Sequence, residues 1–284
     1  MNRATLIGFT AILLWSTLAL LTAGSGTVPA FQLAAMTFLI GGLAGLVFVA
    51  RSQRGFAALK QPWPAWLHGV GGLFGYHFVY FSALRLAPPA EAGLIAYLWP
   101  LLIVMMSALL PGERLRAVHI IGAVMGFAGT VVLITGRSGG LAFDAAYLPG
   151  YLAAFACAFI WSGYSVLSRR FSEVPTEAVA GFCLATSALS IICHVLFETT
   201  VWPEDMTQWA AVALLGLGPV GLAFYVWDVG MKRGDVRLLG VASYAAPVLS
   251  TLLLVVFGFA EASLALGLAC ALIVGGAVVA TRRS

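Results

Sequence analysis

From Ala90 to Leu110 the chain reads AEAGLIAYLWPLLIVMMSALL, long enough to cross a bilayer core as one helix. Its middle nonetheless carries Tyr97, Trp99 and Pro100. Pro100 removes one backbone donor and frees a carbonyl about a turn earlier. In a membrane such a defect persists only where neighbouring helices, side chains or water satisfy the freed group. The same arrangement returns in the second half, where Tyr244 and Pro247 sit in VASYAAPVLSTLLLVVFGF. An interrupted helix that occurs twice, at matching places, predicts a solute site where the two halves meet.

Hydrophobic residues fill 61% of the 284 positions and charged ones only 9%. A soluble domain of this length would need far more charge on its surface, so the class is an all-α integral membrane protein. The apolar runs are continuous rather than alternating, which excludes an outer-membrane barrel. The net charge of +4 does not signal nucleic acid, because the basic residues lie in short loops between spans and act as an orientation signal. Cys157, Cys183, Cys193 and Cys270 all fall within apolar segments without metal-ligand or disulfide spacing, and are expected to be packing residues. Met1, Asn2 and Arg3 precede an apolar run that could mimic a signal peptide, but the run continues to about Thr22 and is read as a first span.

Ten apolar segments can be counted, at about 4–22, 29–50, 66–86, 90–110, 116–135, 148–168, 177–197, 208–230, 236–258 and 263–280. With this count, Arg3, Arg51, Arg54, Lys60, Arg114, Arg116, Arg169, Arg170, Lys232, Arg233, Arg237, Arg282 and Arg283 fall on one side. Only Arg85 and Arg137 fall on the other. The positive-inside rule then predicts both termini in the cytoplasm. The halves also match along their length. Trp15 and Ser16 recur as Trp161 and Ser162, Val28 and Pro29 as Val174 and Pro175, and Arg85 as Lys232. Gly93, Tyr97 and Pro100 recur as Gly240, Tyr244 and Pro247. Five spans per half is an odd number, so the expected organisation is two inverted repeats, residues 1–140 and 147–284.

The ten spans, the Trp–Ser pair in the first helix of each repeat and the mid-helix proline in the fourth resemble the drug/metabolite transporter superfamily. Within it the chain is most similar to EamA-type members, in particular bacterial exporters of aromatic amino acids. The resemblance implies a secondary transporter of the bacterial inner membrane that works by alternating access and needs no cofactor. The same superfamily carries drugs, other amino acids and nucleotide sugars, so a multidrug or other small-metabolite exporter is the alternative it leaves.

Several polar-tipped aromatic residues lie at mid-depth, where lipid offers their O–H and N–H groups no partner. Trp15, Tyr76, His77, Tyr80, Tyr97, Trp99, Trp161, Ser162, Tyr225 and Tyr244 are the substrate-binding candidates. His77, Tyr80 and Phe81 share one helix face, and Pro100 and Pro247 are the candidate flexible points. A cavity built from these residues would be rich in aromatic surface and poor in fixed charge. An ammonium could sit against a ring for about 0.5–2 kcal/mol, and hydroxyls or amides freed at the helix breaks could hold a carboxylate. A neutral or aromatic amino acid fits that description. A phosphorylated substrate would want lysine or arginine at mid-depth, where the sequence has none.

His77 is expected to contact substrate or to serve structurally, rather than to couple proton flow, because no acidic relay accompanies it. His68, His119 and His194 lie nearer span ends and are expected at the interface. Asp228 and Lys232 are spaced for an i,i+4 salt bridge, and Arg85 and Glu91 for a local pair across Pro88 and Pro89. Gly41 with Gly45, Gly71 with Gly75, and Gly122 with Gly126 allow close helix approach, either within the chain or in a weak homodimer. Trp63, Trp66, Trp202 and Trp209 flank span ends as interfacial anchors. No GxxxxGK[ST], HExxH or CxxC pattern is present, and no paired carboxylates or nucleophile–base set lies at mid-depth. An enzyme and an ATP-driven pump are therefore not expected, and transport would be driven by gradients.

Overall fold

The computed structural model describes residues 2–111, 115–258 and 261–281. Arg114, Arg282 and Arg283, three of the residues that argue for orientation, lie outside the described residues, as does the side chain of Arg137. All regular structure among the described residues is helical. α1 (Arg3–Ser16) and α2 (Leu18–Gly24) make the first apolar stretch, followed by α3 (Ala30–Arg51) and α4 (Trp63–Leu86). α5 (Pro89–Ala96) and α6 (Trp99–Met106) share the next stretch, before α7 (Ala117–Ser138). The second half holds α8 (Leu148–Leu167), α9 (Val179–Phe197), and α10 (Met206–Leu217), which a π turn at Gly218–Leu222 joins to α11 (Ala223–Arg233). α12 (Val236–Ala242), α13 (Ala245–Val256) and α14 (Leu264–Thr281) complete the chain.

Among the described residues, eight stretches are long and apolar enough to cross a bilayer, and Leu264–Ala280 is a shorter apolar helix. α4 has the length, at 24 residues, but its glycines, histidines and tyrosines hold its hydropathy below that of the others. The protein is a multi-pass membrane protein.

Four helix pairs dominate the packing: α1 on α11, α4 on α8, α3 on α9 and α7 on α14. Small residues let them meet. A Cβ at Gly122 would lie 2.5 Å from the Gly276 carbonyl oxygen, and one at Gly276 would lie 2.6 Å from that of Gly122. Gly41 faces the Cα of Gly221 at 2.8 Å from where a Cβ would be, and Gly45 lies under the ring of Tyr225. These two glycine pairs serve contacts within the chain. The third does not, since nothing lies within 4 Å of a Cβ at Gly71, and Gly75 meets only Ile160, at 3.8 Å.

Helices are interrupted at four places, and each has a local cause. At Ser16 and Thr17 the hydroxyls donate back to the carbonyls of Leu13 (2.6 Å) and Leu14 (2.7 Å), which bends a helix. Ahead of Pro100 the backbone tightens, and Leu98 N–H donates to Ile95 at 3.1 Å. Ahead of Pro247, Tyr244 N–H donates to Val241 at 3.2 Å and Ala246 N–H to Ser243 at 3.1 Å. Both breaks precede the proline, because its ring and missing N–H disturb the turn before it. The fourth is the π turn around Pro219.

The α7–α14 contact has no room for a side chain between the two backbones. Gly122→Val is expected to destabilise the protein by about 1–3 kcal/mol, read as a lower melting temperature of the detergent-solubilised protein. Gly71→Ala, facing open space, should leave that temperature unchanged.

Candidate substrate-binding cavity

The interrupted helices converge on a cavity of about 150 Å³. α4 supplies Tyr76, His77 and Tyr80 from one face, with the two tyrosine rings stacked 5.7 Å apart. The α5–α6 break supplies Tyr97 and Trp99, α1 supplies Trp15, and α8 supplies Trp161. Trp15 sits among the other indoles, 4.9 Å from Trp227, 5.7 Å from Trp161 and 6.1 Å from Trp99. Its own N–H donates to the Pro219 carbonyl at 3.1 Å, which ties the ring to the π turn.

Among the described residues, no Asp, Glu, Lys or Arg lines this cavity. What it offers is a set of unengaged polar tips. His77 Nδ1 lies 2.7 Å from the Leu73 carbonyl oxygen. A carbonyl only accepts, so in the neutral ring Nδ1 carries the proton and Nε2 remains an acceptor. Among the described residues, the Tyr76, Tyr80 and Tyr97 hydroxyls and the Trp99 and Trp161 N–H groups have no protein partner. None of them is fully enclosed, so each can reach a bound solute. The wall thus combines aromatic faces, indole donors, phenol groups and one imidazole acceptor. That chemistry suits a solute without net charge that has an aromatic or apolar side chain and both donors and acceptors.

Seven of the ten sequence candidates line this cavity, and three do not. Ser162 is fully buried and donates to the carbonyls of Ala158 (2.7 Å) and Trp99 (2.9 Å), so it holds Trp99 in place from behind. Tyr225 points to the opposite face of α11, where its hydroxyl donates to the Gly41 carbonyl at 3.1 Å. Tyr244 is completely buried, and its hydroxyl accepts the Leu101 N–H at 3.1 Å. That amide lies in the first turn of α6, where no intrahelical acceptor exists. Pro100 and Pro247 stand beside the breaks without touching the cavity. Sequence reasoning missed Pro219, Val220 and Phe224 on the π turn and α11, together with Gly93 and Ala96 on α5. The run GLGPVG at 216–221 was the available signal for the π turn.

One end of the cavity is sealed. Below the indoles Ala11, Ile12, Trp227, Met231, Val236 and Leu239 are all buried. Beyond them Lys232 Nζ contacts Asp228 at 2.8 Å and the Val174 carbonyl at 2.9 Å. Thr176 donates to the other Asp228 oxygen at 2.6 Å. Both charged side chains are about 5% exposed, so the pair is satisfied inside the protein rather than screened by water. Arg169 also donates to the Gly234 carbonyl at 2.5 Å, and Asp235 N–H to the Thr5 hydroxyl at 2.8 Å. The cavity lining lies towards the opposite end, where α2 and α4 finish and α5 begins.

At that opposite end the expected Arg85–Glu91 pair is absent. Arg85 reaches Glu198 at 3.2 Å, whereas Glu91 accepts from the Tyr151 hydroxyl at 2.6 Å and the Ala142 N–H at 3.0 Å. Ala87 is extended and Pro89 starts α5, so the last turn of α4 and the first turn of α5 aim their side chains at different neighbours. Glu198 also accepts the Phe31 N–H (3.0 Å) and the Gln32 N–H (3.1 Å), and so caps the start of α3. His194 joins it at 3.0 Å. His68, near the start of α4, stacks between Tyr164 (4.9 Å) and Phe171 (4.5 Å) and bonds Ser168, because α4 packs against α8 at that level.

Tyr97 and Tyr244 hold matching positions in the sequence but do different work, and this can be tested. Tyr244→Phe strands the Leu101 N–H and should lower stability by about 1–3 kcal/mol, seen as a reduced melting temperature. Tyr97→Phe should leave that temperature unchanged.

Comparison with known proteins agrees with this geometry. A model of the EamA-like transporter family matches residues 2–135 and again 148–282. The chain is 70% identical over 280 residues to an aromatic amino acid exporter, YddG, of Ancylobacter novellus, covering 99% of this chain and 97% of the relative. It is 30% identical to the exporter of that name in Escherichia coli, covering 99% of both chains. A pseudopaline exporter, CntI, of Pseudomonas aeruginosa is 30% identical over 72% of this chain and 69% of its own. A solved crystal structure with 70% sequence identity superposes with a TM-score of 0.95, covering 98% of this chain and 96% of that one.

Proposed function

The chain belongs to the EamA-like transporter family, and from that premise we propose that it exports aromatic and other neutral amino acids across the bacterial inner membrane. The observation that carries this reading is the uncharged cavity ringed by Trp15, Tyr76, His77, Tyr80, Tyr97, Trp99 and Trp161. The similarity to aromatic amino acid exporters supports it. In this reading the ring faces take the substrate side chain. His77 Nε2 accepts from the ammonium, which also gains about 0.5–2 kcal/mol against the aromatic faces. The N–H groups of Trp99 and Trp161 and the tyrosine hydroxyls hold the carboxylate. With no fixed charge in the wall, both ends of the zwitterion are bound by dipoles, which favours release as well as capture.

The proposed architecture has ten crossings in two inverted repeats, 1–140 and 147–284, with α4 and α14 completing the count. The helix pairs support it. Exchanging the halves turns α1 on α11 into α8 on α4, and maps α3 on α9 and α7 on α14 onto themselves. In the proposed orientation both termini are cytoplasmic. The described basic residues support this, since Arg3, Arg51, Lys60, Arg169 and Arg233 all flank helix ends on the sealed side. The structure then corresponds to an outward-facing state, with the Asp228–Lys232 region as the closed cytoplasmic gate. Alternating access would rock the repeats about the breaks near Pro100, Pro247 and Pro219.

Uptake of labelled phenylalanine into liposomes holding the purified protein tests the reading. Trp161→Ala and Tyr97→Ala are each expected to lower specific uptake by roughly ten-fold or more, and unchanged uptake in both overturns the site. Gly93 faces the cavity with nothing within 4 Å of its would-be Cβ. Gly93→Leu is expected to lower tryptophan uptake by roughly ten-fold while sparing alanine. Strong competition by hydrophobic cations would instead point to a multidrug exporter.

A further inference from the structure

A second and larger cleft, about 880 Å³, lies on the other side of α11 from the aromatic cavity. α3 forms one wall with Gly41, Ala44, Gly45 and Phe48; α11 and the π turn form the other with Leu222, Tyr225, Val226 and Val229. Its apolar rim is open, since Phe48, Leu217 and Leu222 are each more than half exposed, at 62%, 51% and 52%. In a membrane protein such exposure of apolar side chains along spanning segments faces acyl chains. The cleft ends in a polar mouth holding Arg54, Glu173, Glu177 and Arg233. Among the described residues none of these four side chains has an ion-pair or hydrogen-bond partner. Two guanidinium and two carboxylate groups thus share one mouth without pairing with each other.

We propose that this cleft is a binding site for a zwitterionic aminophospholipid, with phosphatidylethanolamine as the occupant. The apolar walls take an acyl chain, Arg54 and Arg233 take the phosphate, and Glu173 and Glu177 take the primary ammonium. The charge pattern selects the headgroup. Guanidinium groups bind phosphate through paired N–H donors, and carboxylates need a cation with hydrogens to donate. Phosphatidylglycerol supplies the phosphate but leaves both carboxylates uncompensated. Phosphatidylcholine supplies a cation without N–H groups, so the carboxylates gain no hydrogen bond. The floor of the cleft is prepared for a chain, because Tyr225 folds over Gly45 and donates to Gly41, which removes its hydroxyl from the lipid-facing surface. The same π turn and α11 wall both this cleft and the aromatic cavity, through Leu222 and Tyr225 on one face and Val220 and Phe224 on the other. A lipid seated here therefore braces the element that shapes the substrate site.

The test uses the delipidated full-length protein in detergent and native mass spectrometry with three lipids of identical dioleoyl chains. Phosphatidylethanolamine is expected to be retained roughly three-fold or more over phosphatidylglycerol and phosphatidylcholine, from the charge-assisted bonds it alone completes. The Glu173→Gln/Glu177→Gln double variant, altered only at the polar mouth, should erase the preference for phosphatidylethanolamine over phosphatidylcholine. Ala44→Trp, which fills the apolar cleft, should lower retention of phosphatidylethanolamine. Equal retention of the three lipids by the unaltered protein, or tighter retention of phosphatidylglycerol, overturns the proposal without reliance on any variant. A preference that survives the double glutamate substitution overturns it as well.

Discussion

Opening a helix inside hydrocarbon leaves amides and carbonyls that lipid cannot bond, and this structure is arranged around answering them. The Tyr244 hydroxyl takes the Leu101 N–H at the start of α6. The Trp15 indole donates to the Pro219 carbonyl at the π turn. Ser162 reaches across from α8 to the Trp99 carbonyl. Each answer comes from a different element, so the breaks act as the joints at which the helices are tied together. They also leave room. A straight, fully bonded helix would present a smooth wall at mid-depth, whereas these interruptions turn rings inward around a hollow.

Similarity between the halves makes their departures informative. Tyr244 is used up in holding α6, while Tyr97, its counterpart, keeps a free hydroxyl over the cavity. Gly240 is packed against Ile103, Val104 and the Pro100 carbonyl, while Gly93 faces open space. Lys232 is buried with its partners, and Arg85, at the equivalent place, is half exposed. In each pair the second-half residue is closed and structural, and the first-half residue is open. A single conformation of a near-symmetric chain would look this way if one end were shut and the other accessible.

Much of this was legible in the sequence, for physical reasons that can be named. Continuous apolar runs announced membrane helices, and Pro100 and Pro247 announced two of the four interruptions, because proline acts locally and without regard to packing. Aromatic residues with polar tips at mid-depth pointed to the cavity. What stayed hidden depends on how helices turn against one another. Tyr225 and Tyr97 look alike as mid-span tyrosines, and only the rotation of α11 sends the former to a different cleft. Arg85 and Glu91 are close in sequence, yet the extended residue between their helices aims them at Glu198 and Tyr151. The bend at Thr17 arises from hydroxyl bonds that Ser and Thr form in some helices and not others. The π turn had its signal in GLGPVG, but not its consequence for Trp15.

The Asp228–Lys232 pair has a bearing on speed. Its charges are stabilised by each other, by Thr176 and by the Val174 carbonyl, with both side chains almost fully buried. In the proposed alternating access, moving α11 away from Val174 and Thr176 means that water must reach groups now shielded from it, and this barrier is the same whichever solute sits above. In that proposal, how tightly a solute is held and how fast the molecule turns over are governed by separate parts of the chain. Variation among the rings can retune preference while leaving the clock alone.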